Sequence, residues 1–171
     1  GVDVSPKLIG KAKDDNPQHQ FSCRDLLQGN IEKMSQYDIV ISTGVLQILD
    51  EVVQPIKNLI SLVAPGGKLV ITGSFNAHDI DVLMRYRRVP ESNTWETGWN
   101  LFSTSTYQRC LRAESRVKQW EWHDFRMPFK LEQKKDVMRS WTISTEINDH
   151  QLVNGASQLL FVKSCVVQIE E

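Results

Sequence analysis

The chain has 171 residues, of which 40% are hydrophobic and 24% charged, and its net charge is −1. This length suits one domain with a sizeable core, and a charge near zero gives no field that would recruit nucleic acid or an anionic membrane. No apolar run approaches the length of about 20 residues that spans a bilayer. The three cysteines are far apart, which argues against a disulfide framework or zinc site and favours reduced thiols in a cytoplasmic protein.

The N-terminal residues predict a helix followed by a short strand. Ser5 is a good N-cap and Pro6 suits the first helical position, so we expect a helix from Pro6 to about Lys13. A loop then leads to a short strand over residues 20–24. Residues 26–36 form a connection in which one helical turn fits.

Residues 37–75 predict a strand, a helix, a glycine turn and a second strand. Residues 39–41 and 69–71 are apolar runs without alternation, as in strands buried on both faces. Between them, apolar residues from 45 to 63 recur at helical spacing, and Ala64-Pro65-Gly66-Gly67 ends that helix. Two such strands and a crossover helix form a parallel unit, whose ligands bind at the carboxyl ends of the strands. Those ends are residues 42–44 and 72–74.

The second half of the chain has a weaker pattern. Helices are predicted over residues 79–88, ended by Pro90, and over residues 105–114, with Thr104 or Ser105 as the cap. Alternating or apolar segments predict strands over three further ranges: 116–125, 141–147 and 159–169.

Three segments in the first half resemble class I S-adenosylmethionine-dependent methyltransferases. Gly1-Val2-Asp3-Val4-Ser5-Pro6 resembles the end of that family's second strand, and Phe21-Ser22-Cys23-Arg24-Asp25 resembles its third strand. Residues 37–71 resemble its middle, with an aromatic-Asp strand, V-L-x-x-L-D and L-x-P-G-G-x-L-x-I. Their order and separations make the resemblance more specific than any one motif.

The resemblance implies an α/β, Rossmann-like three-layer sandwich, with a mostly parallel sheet and a C-terminal antiparallel hairpin. Residues 1–75 would be the cofactor-binding half of the domain, and residues 76–171 the variable, acceptor-side half. The cofactor would be S-adenosyl-L-methionine. Asp3 would hold the ribose hydroxyls and Asp25 the adenine amino group. The remaining residues expected at the cofactor are Val4, Arg24, Thr43, Gly44 and Val45.

The family's first strand and its glycine-rich loop should precede Gly1, and the chain contains no G-x-G-x-G. The resemblance therefore implies an incomplete N-terminus, arising by truncation, proteolysis or a misassigned gene start, or else a natural partial homologue without catalysis. In the family that strand lies at the centre of the sheet. We therefore expect two unpaired edges beside a gap, leading to self-association, poor cofactor binding, or both.

The acceptor site is expected after Phe75, where all five tryptophans and the basic segment 85–88 lie. His78 is the candidate general base, although a solvated histidine at a helix start is the more common explanation. Arg85 and Arg88 are candidates for holding an anionic group on the acceptor, or belong to a solvated helix face. Trp99 is a candidate wall of an apolar or planar pocket. No residue set suggests a metal site.

The function that these features predict is methyl transfer to a small-molecule acceptor. Two alternatives stay open. One is a methyltransferase-like binding or regulatory domain without catalysis. The other is a nicotinamide-dependent Rossmann enzyme, which fits P-G-G before a strand and the late antiparallel strands poorly.

Overall fold

The N-terminal elements follow the local sequence closely. The computed structural model describes residues 1–28, 31, 36–89 and 91–171. Strand β1 (Val2–Asp3) leads into helix α1 (Pro6–Asp15), and strand β2 (Ser22–Cys23) pairs with β1 in parallel. The Ser5 hydroxyl accepts a hydrogen bond from the Leu8 amide at 3.3 Å, so the predicted N-cap is confirmed. The connection predicted over residues 26–36 lies partly outside the described residues.

A separate four-stranded sheet forms the body of the molecule. Its strands are β3 (Tyr37–Thr43), β4 (Val63–Ser74), β7 (Val117–Asp124) and β11 (Val162–Ile169), in the spatial order β3-β4-β11-β7. The pairing of β3 with β4 is parallel, whereas β11 is antiparallel to both its neighbours. The parallel pair, β3 and β4, thus comes from the first half of the chain. The two antiparallel strands, β11 and β7, come from the second half.

The single helix predicted over residues 45–63 is wrong in its extent. A 3-10 turn (Leu46–Ile48) and helix α2 (Val53–Ser61) replace it, with extended backbone at Leu49 between them. Pro55 explains the break, because its ring clashes with the carbonyl four residues earlier unless it lies in the first turn of a helix. Strand β4 then begins at Val63, so the predicted turn at residues 64–67 lies inside the strand, where the pairing with β3 is irregular.

The helix predicted over residues 79–88 is wrong. Val82 instead forms an antiparallel bridge with Leu101, and strand β5 (Arg85–Tyr86) pairs with β6 (Glu96–Thr97). The apolar residues that suggested the helix have no core to face, since Ile80 and Leu83 are more than half exposed. The amides of Val82 and Met84 instead donate to Leu101 and Asn100, and that tertiary pairing overrides helical spacing.

The late helix and the strands predicted over residues 116–125 and 141–147 are confirmed with different bounds, whereas the single strand predicted over residues 159–169 is wrong: it divides at Phe161 into two strands of different sheets. Helix α3 (Thr104–Ala113) is capped by Ser103, whose hydroxyl accepts the Thr106 amide at 3.1 Å. The cap is therefore one residue before the predicted pair. Strands β8 (Trp141–Ile143), β9 (Gln151–Val153) and β10 (Leu159–Leu160) form a small antiparallel sheet, of which β9 was not predicted.

The core fills the space between one face of the four-stranded sheet and helices α2 and α3. The sheet contributes Leu69, Ile71 and Val167, and the helices contribute Ile56 and Leu111, all at most 2% exposed. On the opposite face, Ile39 and Ile41 are 61% and 67% exposed. Among the described residues, no helix is long and apolar enough to cross a membrane.

Candidate functional site

A cavity of about 590 Å³ separates the β1–β2 pair from β3. Strands β1 and β3 belong to different sheets, and both contribute lining residues. The polar and charged residues of its wall include Asp3, Ser5, Arg24, Asp25 and Ser42, and the apolar ones include Val4, Ile39, Ile41, Val45, Ile48 and Leu49. Most of the predicted cofactor residues line this cavity, which lies beside β3 and between two sheets.

Asp3 lies at the carboxyl end of β1, half-buried at the cavity wall. One carboxylate oxygen, Oδ1, accepts the Ser5 amide at 2.7 Å and so fixes the start of α1. The other oxygen has no hydrogen bond with a described residue, which leaves a charged acceptor available at the cavity. Val4 beside it is 62% exposed and adds apolar surface.

Asp25 and Arg24 follow β2 and also line the cavity. The carboxylate of Asp25 accepts the Leu27 amide at 2.9 Å and the Gln28 side-chain amide at 3.3 Å. Arg24 donates to the Cys23 carbonyl at 3.2 Å. Asp25 thus caps its own turn, as short acidic side chains commonly do, and its contact with an adenine group stays a prediction.

The predicted strand-end residues divide between the cavity and the turn beside it. Val45 lines the cavity, whereas Thr43 and Gly44 do not. Gly44 has φ +68°, and its amide donates to the Thr72 carbonyl at 2.8 Å. The glycine is therefore required by a left-handed backbone conformation rather than by close approach of a neighbour.

Ser42 is a polar wall residue that the candidate list did not include. It is only 4% exposed, and its hydroxyl has no hydrogen-bond partner among the described residues. Buried hydroxyls are usually paired, so an unpaired one at a cavity wall marks a point where a ligand can bond. The sequence feature that indicates this site is a polar residue directly after the apolar run 39–41.

The predicted acceptor residues do not share one of the described cavities. His78 is exposed and lines neither of the two cavities described here. Arg85 forms an ion pair with Asp50 at 2.7 Å. The carbonyl of Trp99, a residue with φ +60°, accepts the Gln158 side-chain amide at 3.0 Å.

Arg88 lines a second cavity, of about 290 Å³, on the acceptor side. Its guanidinium pairs with Asp136 at 3.0 Å and lies 3.7 Å from Glu96. The bond from Arg88 holds the pKa of Asp136 below its ordinary value. Burial, and then the hydrogen bond to Glu96, raise the pKa of Tyr86. Arg88 is thus already neutralised by carboxylates.

Comparison with known proteins gives one family and a consistent fold. Residues 1–69 match the family model described as a methyltransferase domain. The N-methyltransferase NodS from Bradyrhizobium japonicum, solved with S-adenosyl-L-homocysteine, superposes with a TM-score of 0.55 at 14% identity, over 99% of this chain and 65% of NodS. A SAM-dependent methyltransferase from Methanosarcina mazei gives 0.61 at 11% identity, over 99% of this chain and 81% of that one.

A third structure, a complex of DhpI with S-adenosylhomocysteine, gives a TM-score of 0.54 at 15% identity, over 99% of this chain and 64% of DhpI. The chain thus spans a little under two thirds of the length of NodS and DhpI. At these identities the likeness establishes the fold. As the resemblance predicted, the chain has the α/β, Rossmann-like fold of these methyltransferase structures, and residues 1–69 match the family model of a methyltransferase domain.

Proposed function

We propose that this chain acts in S-adenosylmethionine-dependent methyl transfer to a small-molecule acceptor, with the cofactor in the 590 Å³ cavity. The observation that carries the proposal is the wall of that cavity. The carboxylate of Asp3, one oxygen of which has no partner among the described residues, and the apolar surface of Val4 lie together at one strand end. An acidic residue there can accept hydrogen bonds from both ribose hydroxyls.

The residues present fit such a cofactor at its nucleoside end. Asp3 would hold the ribose, Val4 and the Asp25 turn would border the adenine, and the unpaired hydroxyl of Ser42 offers a further hydrogen bond. The cofactor's sulfonium group would supply the activated methyl. What the chain supplies is orientation and exclusion of water, because this chemistry depends mainly on in-line positioning.

The acceptor side is proposed to be residues 76–171, with residues 1–75 as the cofactor side. A small molecule is favoured because the acceptor half has no RNA-binding motif and its arginines are partly neutralised, Arg85 by Asp50 and Arg88 by Asp136. A general base is needed only where the acceptor must lose a proton. His78 is exposed and free to reach such a group, and its role stays a prediction.

Calorimetric titration tests the cofactor proposal directly. We expect the chain to bind S-adenosylhomocysteine with measurable heat, and S-adenosylmethionine to compete. Binding should be weak, because the 171 residues contain no G-x-G-x-G loop. NADH is the matched control and should give no heat. A chain that binds NADH, or that gives no heat with either adenosyl ligand at millimolar concentration, contradicts the proposal.

A further inference from the structure

Asn100 links the two halves of the chain through a fully buried side chain, which is 0% exposed. Its Nδ2 donates to the Leu49 carbonyl at 2.6 Å, and its Oδ1 accepts the Met84 amide at 2.7 Å. Its own backbone amide donates to the Gln47 carbonyl at 2.8 Å. One residue from the acceptor half thus bonds to two carbonyls in the turn that follows β3.

Asp50 completes this link. It ends the V-L-x-x-L-D motif, and its carboxylate lies outside the cavity wall described above. Its Oδ1 accepts from Asn100 Nδ2 at 3.4 Å, and its Oδ2 accepts from Arg85 at 2.7 Å. Both donors come from residues 76–171. We call Asp50, Arg85 and Asn100 the Asn100 clamp.

The turn that the clamp holds forms part of the cavity wall. Ile48 and Leu49 line the cavity, and Ile48 is 54% exposed. The turn itself is a 3-10 helix of three residues, Leu46–Ile48, without a side-chain cap. Such a short 3-10 segment has little stability of its own, so bonds from outside decide where Ile48 and Leu49 lie.

We propose that Asn100 is a positioning residue, which sets the place of Ile48 and Leu49 at the cofactor cavity and ties that wall to the acceptor half. Its effect on ligand binding rests on the proposed function, whereas its effect on the turn does not. In the clamp, Arg85 holds Asp50 and so helps to position the cavity wall. This role replaces the direct contact with the acceptor that the sequence suggested for Arg85.

The test replaces one donor without changing the shape of the side chain. Asn100→Asp keeps the acceptor for Met84 but removes the donor to Leu49, and it places a second carboxylate beside Asp50. Asn154→Asp is the matched control. Asn154 is 2% exposed, and its side chain donates to Gln158 at 2.9 Å and accepts the Ala156 amide at 3.0 Å, within its own turn.

Two measurements on the full chain are compared for both variants. Hydrogen exchange without ligand should quicken at Ile48 and Leu49 in Asn100→Asp, while β4 keeps its protection, and should stay unchanged there in Asn154→Asp. The affinity for S-adenosylhomocysteine should fall about tenfold in Asn100→Asp and less than twofold in the control.

Each outcome is decisive. If exchange rises equally across β4, or equally in both variants, Asn100 is a general stabilising residue and the proposal is overturned. The same holds if exchange at the turn changes but a measurable affinity does not. If the unmodified chain fails to bind S-adenosylhomocysteine, the proposed function fails, and hydrogen exchange alone decides whether the clamp positions the turn.

Discussion

Residues 1–75 and residues 76–171 are stabilised in different ways. In the first half, apolar strands β3 and β4 pair in parallel over residues 37–74 and bury one face against α2. In the second half, side-chain amides bond to distant backbone groups: Asn100 to Leu49 at 2.6 Å and Gln158 to Trp99 at 3.0 Å. Regular strand pairing organises the first half and also β7 and β11 of the second, whereas single polar residues such as Asn100 and Gln158 organise the segments between those strands.

That difference has a consequence for function. In residues 37–74 the register of the sheet fixes the strand ends, and such scaffolds hold a common ligand in a common place. The segments of residues 76–171 outside β7, β11 and α3 depend on individual hydrogen bonds, so single substitutions there can remodel them without disturbing the sheet. The Asn100 clamp joins the two, because the side chain of Asn100 bonds to the carbonyl of Leu49 in the turn that follows β3.

The largest expected effect is a loss of stability in the four-stranded sheet. Leu69→Ala should lower the free energy of unfolding by about 2–5 kcal/mol, because Leu69 is fully buried in the main core. Leu160→Ala should cost less, since Leu160 is 5% exposed and lies in the small sheet outside that core cluster. Urea unfolding of both variants measures the contrast. Equal losses would show that the two regions unfold as one equally packed unit.

The next effect concerns the cofactor site. Asp3→Asn keeps an oxygen for the Ser5 amide but removes the charge, and should weaken S-adenosylhomocysteine binding about tenfold. Hydrogen bonds to a charged group contribute about 1.5–3 kcal/mol each. Calorimetry measures the change, and thermal unfolding checks that α1 is intact. Unchanged affinity would remove Asp3 from the ribose site.

The open face and edge of β3 predict self-association of a protein made of residues 1–171. Ile41 is 67% exposed on a strand whose other neighbour is the cavity, and such edges pair with other chains. We expect light scattering to show oligomers, and Ile41→Lys to reduce them. Ile147→Lys is the control, because Ile147 is 83% exposed away from this strand. A monomer at all concentrations would refute the prediction.

The smallest expected effect concerns acid stability in the acceptor half. Burial disfavours the charged form of Asp81, but hydrogen bonds from Ser103 and Thr106 outweigh it, so the pKa of Asp81 is lowered. A lowered pKa gives stability that is present above the unfolded value, about 3.9, and is lost as pH falls through the folded value. Asp81→Asn should therefore flatten the decline in melting temperature below about pH 4. An identical acid slope would contradict this.

Several predicted residues line one cavity because each lies at or just after the end of one of three strands, β1, β2 and β3. Asp3, Val4, Arg24, Asp25 and Val45 all line the cavity, although their individual roles stay predictions. Ser42 was placed at a ligand-binding strand end but not named as a cofactor residue, because a hydroxyl without a partner among the described residues is visible only once its neighbours are known. Arg85 and Arg88 pair with different carboxylates, Asp50 and Asp136, and the helix expected to carry them does not form.

The sequence by itself determined the α/β class, the helix that begins at Pro6 and its cap, and the presence of a helix near residues 105–114, because short-range spacing and caps act locally. Only the tertiary structure decided the break before α2, the strand pairing of residues 82–101 and the Asn100 clamp. Each of these depends on a partner far along the chain or on a steric conflict inside a regular pattern. Hydrophobic periodicity predicts which face of a helix or strand is apolar. It does not predict which distant carbonyl accepts a hydrogen bond from a buried side-chain amide, as Leu49 does from Asn100.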